Sequence, residues 1–333
     1  MTDDLRAMGD ALARWLGRDD VSLEQVAGGA SNLTYRVRAG DDDWILRRPP
    51  AVTFATSNDM AREWTVLLAL APTGVPVPRV IRTCEDPSVL GVPFYLMERL
   101  DGIVFRTAQD VAHLDEAQSR ACAEELIDVL AELHALAPAS VGLQSFGRPE
   151  GFVERQVRRW ARQWEAAKFA DMPEIDEVAR LLAAAVPPPS PAAIVHGDYS
   201  FNNTVYFRDP PTRLQGVLDW ELSTLGDPLT DLGMLALYWG DVAAPIWSAK
   251  LPQHASPGFG TTGDLLERYA RSSGRDLSRI DFYVALATFK MAVIIAGARA
   301  RAAGQDPARA ASLEEKSRLL AAIALEATAG LRP

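Results

Sequence analysis

The chain has 333 residues, of which 48% are hydrophobic, so it is long enough for one large domain or two lobes with a sizeable core. Its formal net charge of −10, without a basic tail, argues against a dedicated nucleic-acid-binding protein. The two cysteines, Cys84 and Cys122, lie far apart and lack metal-ligand spacing, which predicts neither a disulfide framework nor a zinc site and fits the reducing cytoplasm.

Residues 1–100 predict a small lobe that is rich in β-strands. Residues 1–17 form an acidic, amphipathic helical pattern without the basic start and apolar core of a signal peptide. Apolar residues at helical spacing predict a second helix over residues 60–71. The β-prone segments lie, in chain order, at residues 22–27, 33–38, 44–48, 79–83 and 93–100. Short turns between the first three strands predict an antiparallel meander.

From residue 118 onward, the pattern changes to that of a mostly helical lobe. Predicted helices lie at residues 118–136, 152–168, 173–186, 229–239, 263–273, 279–303 and 307–328. Predicted strands lie at residues 193–195, 204–207 and 214–218, with no others expected here. The most apolar stretch, residues 280–298, contains Asp281 and Lys290 and is predicted to be a buried helix rather than a membrane span. The fold class is therefore α+β, with two lobes joined near residues 97–102.

The segment IVHGDYSFNNTVY, residues 194–206, places an acid and an amide between two short apolar strands. Asp198 and Asn203 have the spacing of the catalytic loop of kinases, in which the aspartate accepts the proton of the substrate hydroxyl and the asparagine binds Mg²⁺. A loop of this length can turn back so that both side chains enter one cleft. The alternative for the HGD segment alone is an ordinary turn.

A second acidic motif follows Asn203 by sixteen residues, where the apolar run Gly216–Leu218 ends in Asp219. Asp219 is the candidate carboxylate ligand for a Mg²⁺ ion that bridges the phosphates of a nucleotide. Its alternative role is a helix cap. The two motifs together, in a chain with this order of lobes, favour a catalytic and metal-binding constellation over two independent turns.

At these motifs the chain resembles the aminoglycoside phosphotransferase and choline kinase-like family, which has a protein-kinase-like bilobal fold. The resemblance covers nearly the whole length and is most specific in HGDYSFNN and LDWELSTLGDPLTDLG. The segments ILRRPP, ERQVRRW and GDPLTDLG look most like the kinase-like domain fused to some acyl-CoA dehydrogenases and its stand-alone bacterial relatives. The resemblance implies ATP- and Mg²⁺-dependent phosphorylation of a small-molecule hydroxyl, and the fused relatives imply a hydroxyacyl-CoA acceptor.

The resemblance also implies a division of labour between the lobes. Residues 1–100 correspond to the nucleotide-binding lobe, which consists of a leading helix and a small antiparallel sheet. Residues 101–333 correspond to the larger, mainly helical lobe with the catalytic loop, the metal site and the acceptor site. No obligate protein partner, nucleic acid or membrane is expected.

Two segments of the small lobe are positioned to contact a nucleotide. Backbone N–H groups of a glycine-containing turn could cover the triphosphate, although the turn lacks GxGxxG spacing and a plain hairpin is the alternative. The candidates there are Gly28, Gly29, Ser31 and Asn32. The connector FYLMERLDG would bond the adenine edge through its backbone, and a buried strand end is its alternative. The candidates there are Met97, Glu98 and Arg99.

Arg47 falls where kinases of this fold place a lysine on the third strand. Strand alternation puts Arg47 on the same face as Ile45. Arg48 is the second candidate for the phosphate-binding cation, and its alternative is an exposed position at a strand edge. A guanidinium offers a charged fork to phosphate oxygens but is broader than an ammonium. Glu63 on the following helix is the candidate acid that orients Arg47, with an exposed surface position as the alternative.

The acceptor side is predicted from charge on helices. Arginines of the helix at 152–168 recur at helical spacing on the side away from its apolar residues, which suits an acceptor with phosphate or carboxylate groups; a solvated face is the alternative. The candidate acceptor-binding residues are Arg155, Arg159, Lys290 and Glu221. His196 and Asp231 are expected to support the catalytic loop structurally rather than to react.

Three other functions remain open. A nucleotide-binding pseudokinase or regulatory module is suggested by the arginine at position 47 and by the missing GxGxxG spacing. An aminoglycoside or other antibiotic kinase is disfavoured because the predicted acceptor helix is basic, whereas a polycationic sugar needs an acidic surface. A kinase that acts on proteins is disfavoured by the absence of a DFG…APE pattern.

Overall fold

The computed structural model of the protein describes residues 2–26, 32–50, 60–247 and 250–331. The candidate positions Gly28, Gly29 and Ser31 lie outside the described residues. By their contacts, the residues group into two compact units. Unit 1 comprises Met1–Ile103, Val205–Arg208 and Leu214–Ser223, and unit 2 comprises Val104–Thr204, Asp209–Arg213 and Thr224–Pro333.

Unit 1 is built on a five-stranded antiparallel sheet with the strand order β1-β2-β3-β5-β4. The strands are β1 (Val21–Gln25), β2 (Leu33–Ala39), β3 (Asp42–Arg48), β4 (Val80–Cys84) and β5 (Phe94–Glu98). The helices are α1 (Thr2–Leu16), α2 (Met60–Leu70) and the short α3 (Pro87–Leu90). The predicted antiparallel meander is confirmed, and α3, which the sequence analysis did not predict, is a single turn capped by Asp86.

The two faces of this sheet have different partners because side chains alternate along a strand. Leu46 at the centre of β3 is fully buried and stands opposite Tyr35 on one side and Leu96 on the other. All three belong to an apolar cluster with Leu12 of α1. The next residue, Arg47, therefore points to the opposite face, where α2 packs.

Unit 2 is mostly helical. Its helices are α4 (Glu116–Ala135), α5 (Phe152–Ala167), α6 (Pro173–Ala184), α7 (Leu229–Trp239), α8 (Thr262–Ser273), α9 (Ile280–Ala302) and α10 (Pro307–Ala327). Two of them begin with a capping box, at Asp115–Gln118 and at Thr261–Asp264, in which a side chain satisfies backbone N–H groups that the helix leaves unpaired. These starts explain why α4 and α8 begin where they do.

Four short strands complete the fold. Strand β6 (Ala193–Val195) pairs antiparallel with β9 (Thr224–Gly226), and β7 (Thr204–Tyr206) pairs with β8 (Leu214–Val217) in a separate two-stranded sheet. The expectation of only three strands after residue 118 was wrong, because β9 is a fourth. Its three residues are too few to show an alternating pattern, and it is a strand because it pairs with β6.

Helix α9 is the central helix of unit 2. By length and composition it is the one described helix that could cross a membrane, but 56% of its most apolar window is buried within the protein. It packs against α5, α6, α7 and α10. Gly233 of α7 permits the close approach of α9, since a Cβ atom there would lie 2.5 Å from the carbonyl oxygen of Tyr283.

Candidate functional site

The loop after β6 brings Asp198 and Asn203 together within unit 2. Gly197 has a φ of 87°, a left-handed conformation that favours glycine, and lets the chain turn at the end of the strand. A single turn of 3₁₀ helix, Phe201–Asn203, then reverses the chain. The amide nitrogen of Asn203 donates to the backbone oxygen of Asp198 at 2.8 Å and to its Oδ2 at 3.0 Å. Because the nitrogen makes both bonds, the amide oxygen is the Asn203 atom suited to a cation.

The carboxylate of Asp231 fixes the backbone of this loop by hydrogen bonds. Its Oδ2 accepts the backbone N–H of His196 at 2.6 Å, and its Oδ1 accepts that of Gly197 at 2.8 Å. The ring Nδ1 of His196 in turn accepts the backbone N–H of Asp198 at 3.2 Å. His196 and Asp231 therefore bond the loop backbone, which is the kind of contact expected for supporting residues.

A buried histidine and tyrosine extend this support. His134 of α4 lies 3.2 Å from Asp231 Oδ2 through Nε2 and 2.7 Å from the Tyr269 hydroxyl through Nδ1. Burial acts to raise the pKa of Asp231, but its hydrogen bonds to His134 and to the loop amides outweigh burial and leave the pKa lowered. Asp231 thus stays a carboxylate that accepts from the loop.

Two further side chains reach the loop from helices. The hydroxyl of Tyr238 on α7 donates to Asp198 Oδ1 at 3.4 Å, and burial together with the charge of Asp198 raises the pKa of this phenol, so it remains a donor. The ammonium of Lys290 on α9 donates to the carbonyl of Gly197 at 3.1 Å and lies 5.8 Å from the centre of the Trp160 ring. Burial lowers the pKa of Lys290. Sequence analysis missed Tyr238; its one signal is a hydroxyl in the apolar second half of α7.

The arginines of α5 do not share one environment. Arg155 donates to the backbone oxygens of Arg148 and Glu150, so its guanidinium is bound to the loop that precedes the helix. Arg159 is exposed, and its guanidinium carbon lies 5.4 Å from the centre of the Trp160 ring. Of the two predicted acceptor residues on this helix, Arg159 therefore has the accessible guanidinium.

In unit 1, Arg47 lies between two carboxylates. Its Nη1 is 3.0 Å from Glu63 Oε1 and its Nη2 is 3.1 Å from Asp219 Oδ1. The strand-to-helix pair between Arg47 and Glu63 is thus present. Asp219 has φ 64° and ψ 60°, and no other residue except glycine has a positive φ in the described part of the chain. Such conformations are unfavourable and concentrate at functional sites, which supports a functional role for Asp219.

The two members of the buried pair respond differently to their surroundings. Burial opposes the charge of Arg47, but the attraction of Glu63 and Asp219 outweighs it and raises the pKa of the guanidinium. Glu63 is 1% exposed. Burial raises the pKa of Glu63 to about 7, because a single cation offsets burial and the nearby Asp219 is a like charge. Arg47 has two acids to balance it, whereas Glu63 has one base.

Asn32 and Glu221, which were predicted to bind nucleotide and acceptor, contact each other in unit 1. The amide nitrogen of Asn32 donates to Glu221 Oε2 at 3.1 Å. The amide oxygen of Asn32 is buried and has no hydrogen-bond partner within residues 2–26, 32–50, 60–247 and 250–331. A buried acceptor without a donor is uncommon in native proteins, so this atom is a candidate ligand-binding atom.

The three connector candidates lie at the end of β5. Met97 is buried in the sheet opposite Ile45. Glu98 Oε1 accepts the backbone N–H of Arg79 at 2.9 Å, and Arg99 Nε donates to Asp43 Oδ2 at 2.8 Å. The side chains are therefore used within unit 1, and the backbone N–H of Glu98 donates to the Arg79 oxygen at 2.9 Å. The other backbone groups of this segment are the candidates for nucleotide recognition.

A family model and a curated relative match most of the chain. The family model described as a phosphotransferase enzyme family (APH) matches residues 22–283. Acyl-CoA dehydrogenase family member 11 of Gallus gallus is 34% identical over 294 residues, which cover 84% of this chain and 37% of that protein. The chain spans between about a quarter and just over a third of the length of the curated relatives it matches.

Two solved structures share the fold. A protein of Ralstonia eutropha JMP134, described as a candidate aminoglycoside phosphotransferase, has 28% identity and a TM-score of 0.85, with 96% of this chain and 97% of that chain covered. A thermostable mutant of the aminoglycoside phosphotransferase APH(4)-Ia, in a ternary complex with AMP-PNP and hygromycin B, has 17% identity and a TM-score of 0.64. The match covers 97% of this chain and 99% of that chain. The first structure is similar over nearly the whole chain. The second has low sequence identity and shows only that the fold is shared.

Proposed function

This chain belongs to the phosphotransferase enzyme family and is a small-molecule kinase, and from that premise we propose that it transfers the γ-phosphoryl group of ATP to the hydroxyl of a small anionic acceptor in a Mg²⁺-dependent reaction. The pairing of Asp198 with Asn203, on a loop held by Asp231, is the observation that supports this proposal most directly. It reproduces the arrangement that phosphoryl transfer to an alcohol needs, namely a base and an adjacent oxygen ligand for a cation.

Asp198 is the proposed base. The acceptor hydroxyl donates a hydrogen bond to the Asp198 carboxylate, and the acceptor oxygen attacks the γ-phosphorus of ATP. The bond between the γ-phosphorus and the β-phosphate oxygen breaks, ADP leaves, and the hydroxyl proton passes to Asp198. Hydrogen bonds from Asn203 Nδ2 and from the Tyr238 hydroxyl fix the carboxylate. Preorganisation of this kind places the base before the substrate arrives.

The residues present fit Mg²⁺ held together with a nucleotide. No cluster of three or more His, Cys, Asp or Glu side chains that could hold a metal occurs among the described residues. Mg²⁺ in such enzymes is bound by one or two protein oxygens together with substrate phosphates, and Asn203 and Asp219 supply oxygens of that type. When bound, the ion neutralises the charge of the phosphates. The left-handed backbone of Asp219 is the observation that sets this carboxylate apart.

ATP as the phosphate donor is supported by the AMP-PNP complex of APH(4)-Ia and by Arg47. The Arg47 guanidinium is oriented by Glu63, as a phosphate-binding side chain must be to bind with two parallel hydrogen bonds. Asn32, Gly28, Gly29 and Ser31 are proposed to cover the phosphates. The backbone at residues 97–99 is proposed to bind the adenine edge.

A hydroxyacyl-CoA is the proposed acceptor class. The curated relatives bear the name acyl-CoA dehydrogenase, and the exposed guanidinium of Arg159 and the ammonium of Lys290 supply positive charge for an anionic acceptor. Antibiotic phosphorylation is the second candidate, because the Ralstonia protein is described as a candidate aminoglycoside phosphotransferase. The two candidates differ in acceptor charge, so a direct screen separates them.

Asp198→Asn is the decisive substitution. We expect it to lower kcat by about 10²–10⁴-fold on the acceptor that the wild type uses, because the amide cannot accept the proton, while Mg·ATP still binds. Transfer of labelled γ-phosphate to hydroxyacyl-CoAs, amino alcohols, sugars and aminoglycosides measures this. Asp10→Asn, at an exposed position of α1, is the control and should leave kcat unchanged.

Two results would contradict this proposal. Full activity of the Asp198→Asn enzyme would remove Asp198 from the role of base. Binding of Mg·ATP by calorimetry without transfer to any acceptor would favour a regulatory nucleotide-binding module instead.

A further inference from the structure

Arg48 lies on the opposite face of the unit 1 sheet from Arg47. It follows Leu46 on the side of β3 that faces α1, and its Nη1 lies 3.4 Å from the sulfur of Met8. Its Nε donates to the backbone oxygen of Pro49 at 3.3 Å. No carboxylate lies within ion-pair distance of Arg48 in the part of the chain that the structure describes. Since these are its only acceptors among the described residues, the half-buried guanidinium keeps most of its donors for a ligand.

This guanidinium borders a cavity of about 430 Å³ between α1, α3 and the edge of the sheet. Small-molecule sites typically have volumes of about 300–1,000 Å³, so the cavity is large enough for one. Most of the residues that line it carry aliphatic or thioether side chains. They include Leu5, Met8 and Ala11 of α1, Leu33 of β2, and Val89 and Leu90 of α3.

Polar atoms make up nearly half of the accessible wall, and the polar side chains that line the cavity lie on the sheet side. Besides Arg48, the residues Gln25 and Tyr35 line the cavity on this side. The cavity thus combines one cation, one amide and an apolar surface. A ligand that matches it has a single negative charge at one end and a hydrocarbon body.

We propose that this cavity binds a medium-chain monocarboxylate. The carboxylate accepts two hydrogen bonds from the Arg48 guanidinium, and the chain lies along the aliphatic residues of α1 and α3. A monoanion fits better than a phosphate monoester, since a second negative charge would have no cation to balance it within the cavity lining. Met8 can adapt to the chain because its side chain is unbranched and flexible.

This site differs from the proposed nucleotide site. Arg47 and Glu63 lie on the α2 face of the sheet, whereas the cavity lies on the α1 face. The two candidate ligands therefore bind to opposite sides of β3. Because the carboxylate site is lined by α1, its occupation ties this helix to the sheet and raises the melting temperature of the protein.

Calorimetry and thermal unfolding of the full-length protein with decanoate test the proposal. We expect saturable binding of decanoate, binding of decan-1-ol at least tenfold weaker because it lacks the charge, and weak binding of butyrate because it lacks the chain. Arg48→Met should weaken decanoate binding at least tenfold and leave decan-1-ol unchanged. Arg38→Met, at an exposed position on β2, is the matched control and should bind decanoate like the wild type.

A second variant fills the cavity without touching the charge. Val89→Trp should abolish binding of decanoate and decan-1-ol alike and also the rise in melting temperature. Equal affinity for decanoate in the wild type and Arg48→Met, equal affinity for decanoate and decan-1-ol, or no saturable binding of decanoate to the wild type would each overturn the assignment. Because phosphotransferase activity is not the readout, the result is independent of the proposed reaction.

Discussion

The ion pair of Arg47 and Glu63 shows how this site accommodates a guanidinium, which is broader than the ammonium of the usual lysine. A buried carboxylate is stable only with a close partner, and Glu63 finds it 3.0 Å away in the guanidinium. The second arm of the guanidinium reaches Asp219 at 3.1 Å, a contact that needs the planar fork of arginine. Arginine in place of the usual lysine can therefore link two acids.

The raised pKa of Glu63 predicts a pH-dependent stability. The pKa rises from an ordinary 4.5 to about 7 on folding, so between these values the native state binds a proton that the unfolded chain has lost. The unfolding free energy contributed by this group therefore falls as pH rises through that window, by up to about 3 kcal/mol. The difference in unfolding free energy between wild type and Glu63→Gln should fall accordingly between about pH 5 and about pH 8 in urea titrations.

The nucleotide-free and metal-free protein is the right sample for this measurement, because bound phosphates would compete with Glu63 for Arg47. A difference that stays constant across the window would mean that Glu63 is ionised throughout.

Individual side chains of the site were predictable where a motif fixes their spacing. Asp198 and Asn203 are five residues apart, and a short loop joins them, so their contact follows from the sequence. Tyr238 and Lys290 reach the same loop from distant helices. No spacing rule connects residues 40 or 93 positions apart, which is why Tyr238 was missed and the bond from Lys290 to Gly197 was not foreseen.

At the scale of elements, the contact between α7 and α9 depends on one missing methyl group. A Cβ atom at Gly233 would lie 2.5 Å from the Tyr283 oxygen and 2.6 Å from its carbonyl carbon. Both are backbone atoms in a helix, so they cannot rotate away as a side-chain tip could. Helix α7 also carries Asp231 and Tyr238, so this packing positions two side chains that contact the catalytic loop.

Gly233→Ala should destabilise the protein by at least about 2 kcal/mol, because the helices must separate to admit the methyl group. Gly297→Ala, within α9, is the matched control. Its Cβ would meet only the end of the Arg301 side chain at 3.6 Å, so a gain of about 0.5–1 kcal/mol is expected from helix propensity. Denaturant titration measures both, and equal effects of the two variants would contradict the packing argument.

Long elements were predictable, whereas two of the short ones, β9 and α3, were missed. The seven helices predicted after residue 118 are found with ends within about two residues, because their apolar periodicity extends over several turns. Strand β9 and helix α3 have three and four residues. Such segments owe their structure to a distant strand or to a cap, so periodicity cannot reveal them.

At the scale of the whole molecule, the residues with proposed roles are divided between the two units. Asp198 and Asn203 belong to unit 2, and Arg47, Glu63 and Asp219 belong to unit 1. Chain order alone would assign Asp219 to the second lobe, since it follows the catalytic loop. Contacts group Leu214–Ser223 with unit 1 instead, and such long-range grouping has no signature in a single sequence.

A double-mutant cycle tests whether Asn203 and Asp219 serve one Mg²⁺ ion. Each of Asn203→Ala and Asp219→Asn should raise the Mg²⁺ concentration for half-maximal activity at least tenfold, because each removes one oxygen ligand. In the double variant, this Mg²⁺ concentration should rise by less than the product of the two single increases. Once one ligand has been removed, the second ligand contributes less to Mg²⁺ binding. Initial rates measured against Mg²⁺ concentration give all four values. A fully multiplicative result would indicate that the two residues act independently.

The interleaved path of the chain limits how this protein can be divided. With unit 1 formed by three separate stretches, the backbone passes from one unit to the other five times, after residues 103, 204, 208, 213 and 223. No single cut yields both units whole. A chimera joined at residue 103 would inherit Arg47 and Glu63 from one parent and Asp219 from the other. Recombination between relatives would therefore keep these three residues from one parent only if Leu214–Ser223 came from the same parent as residues 1–103.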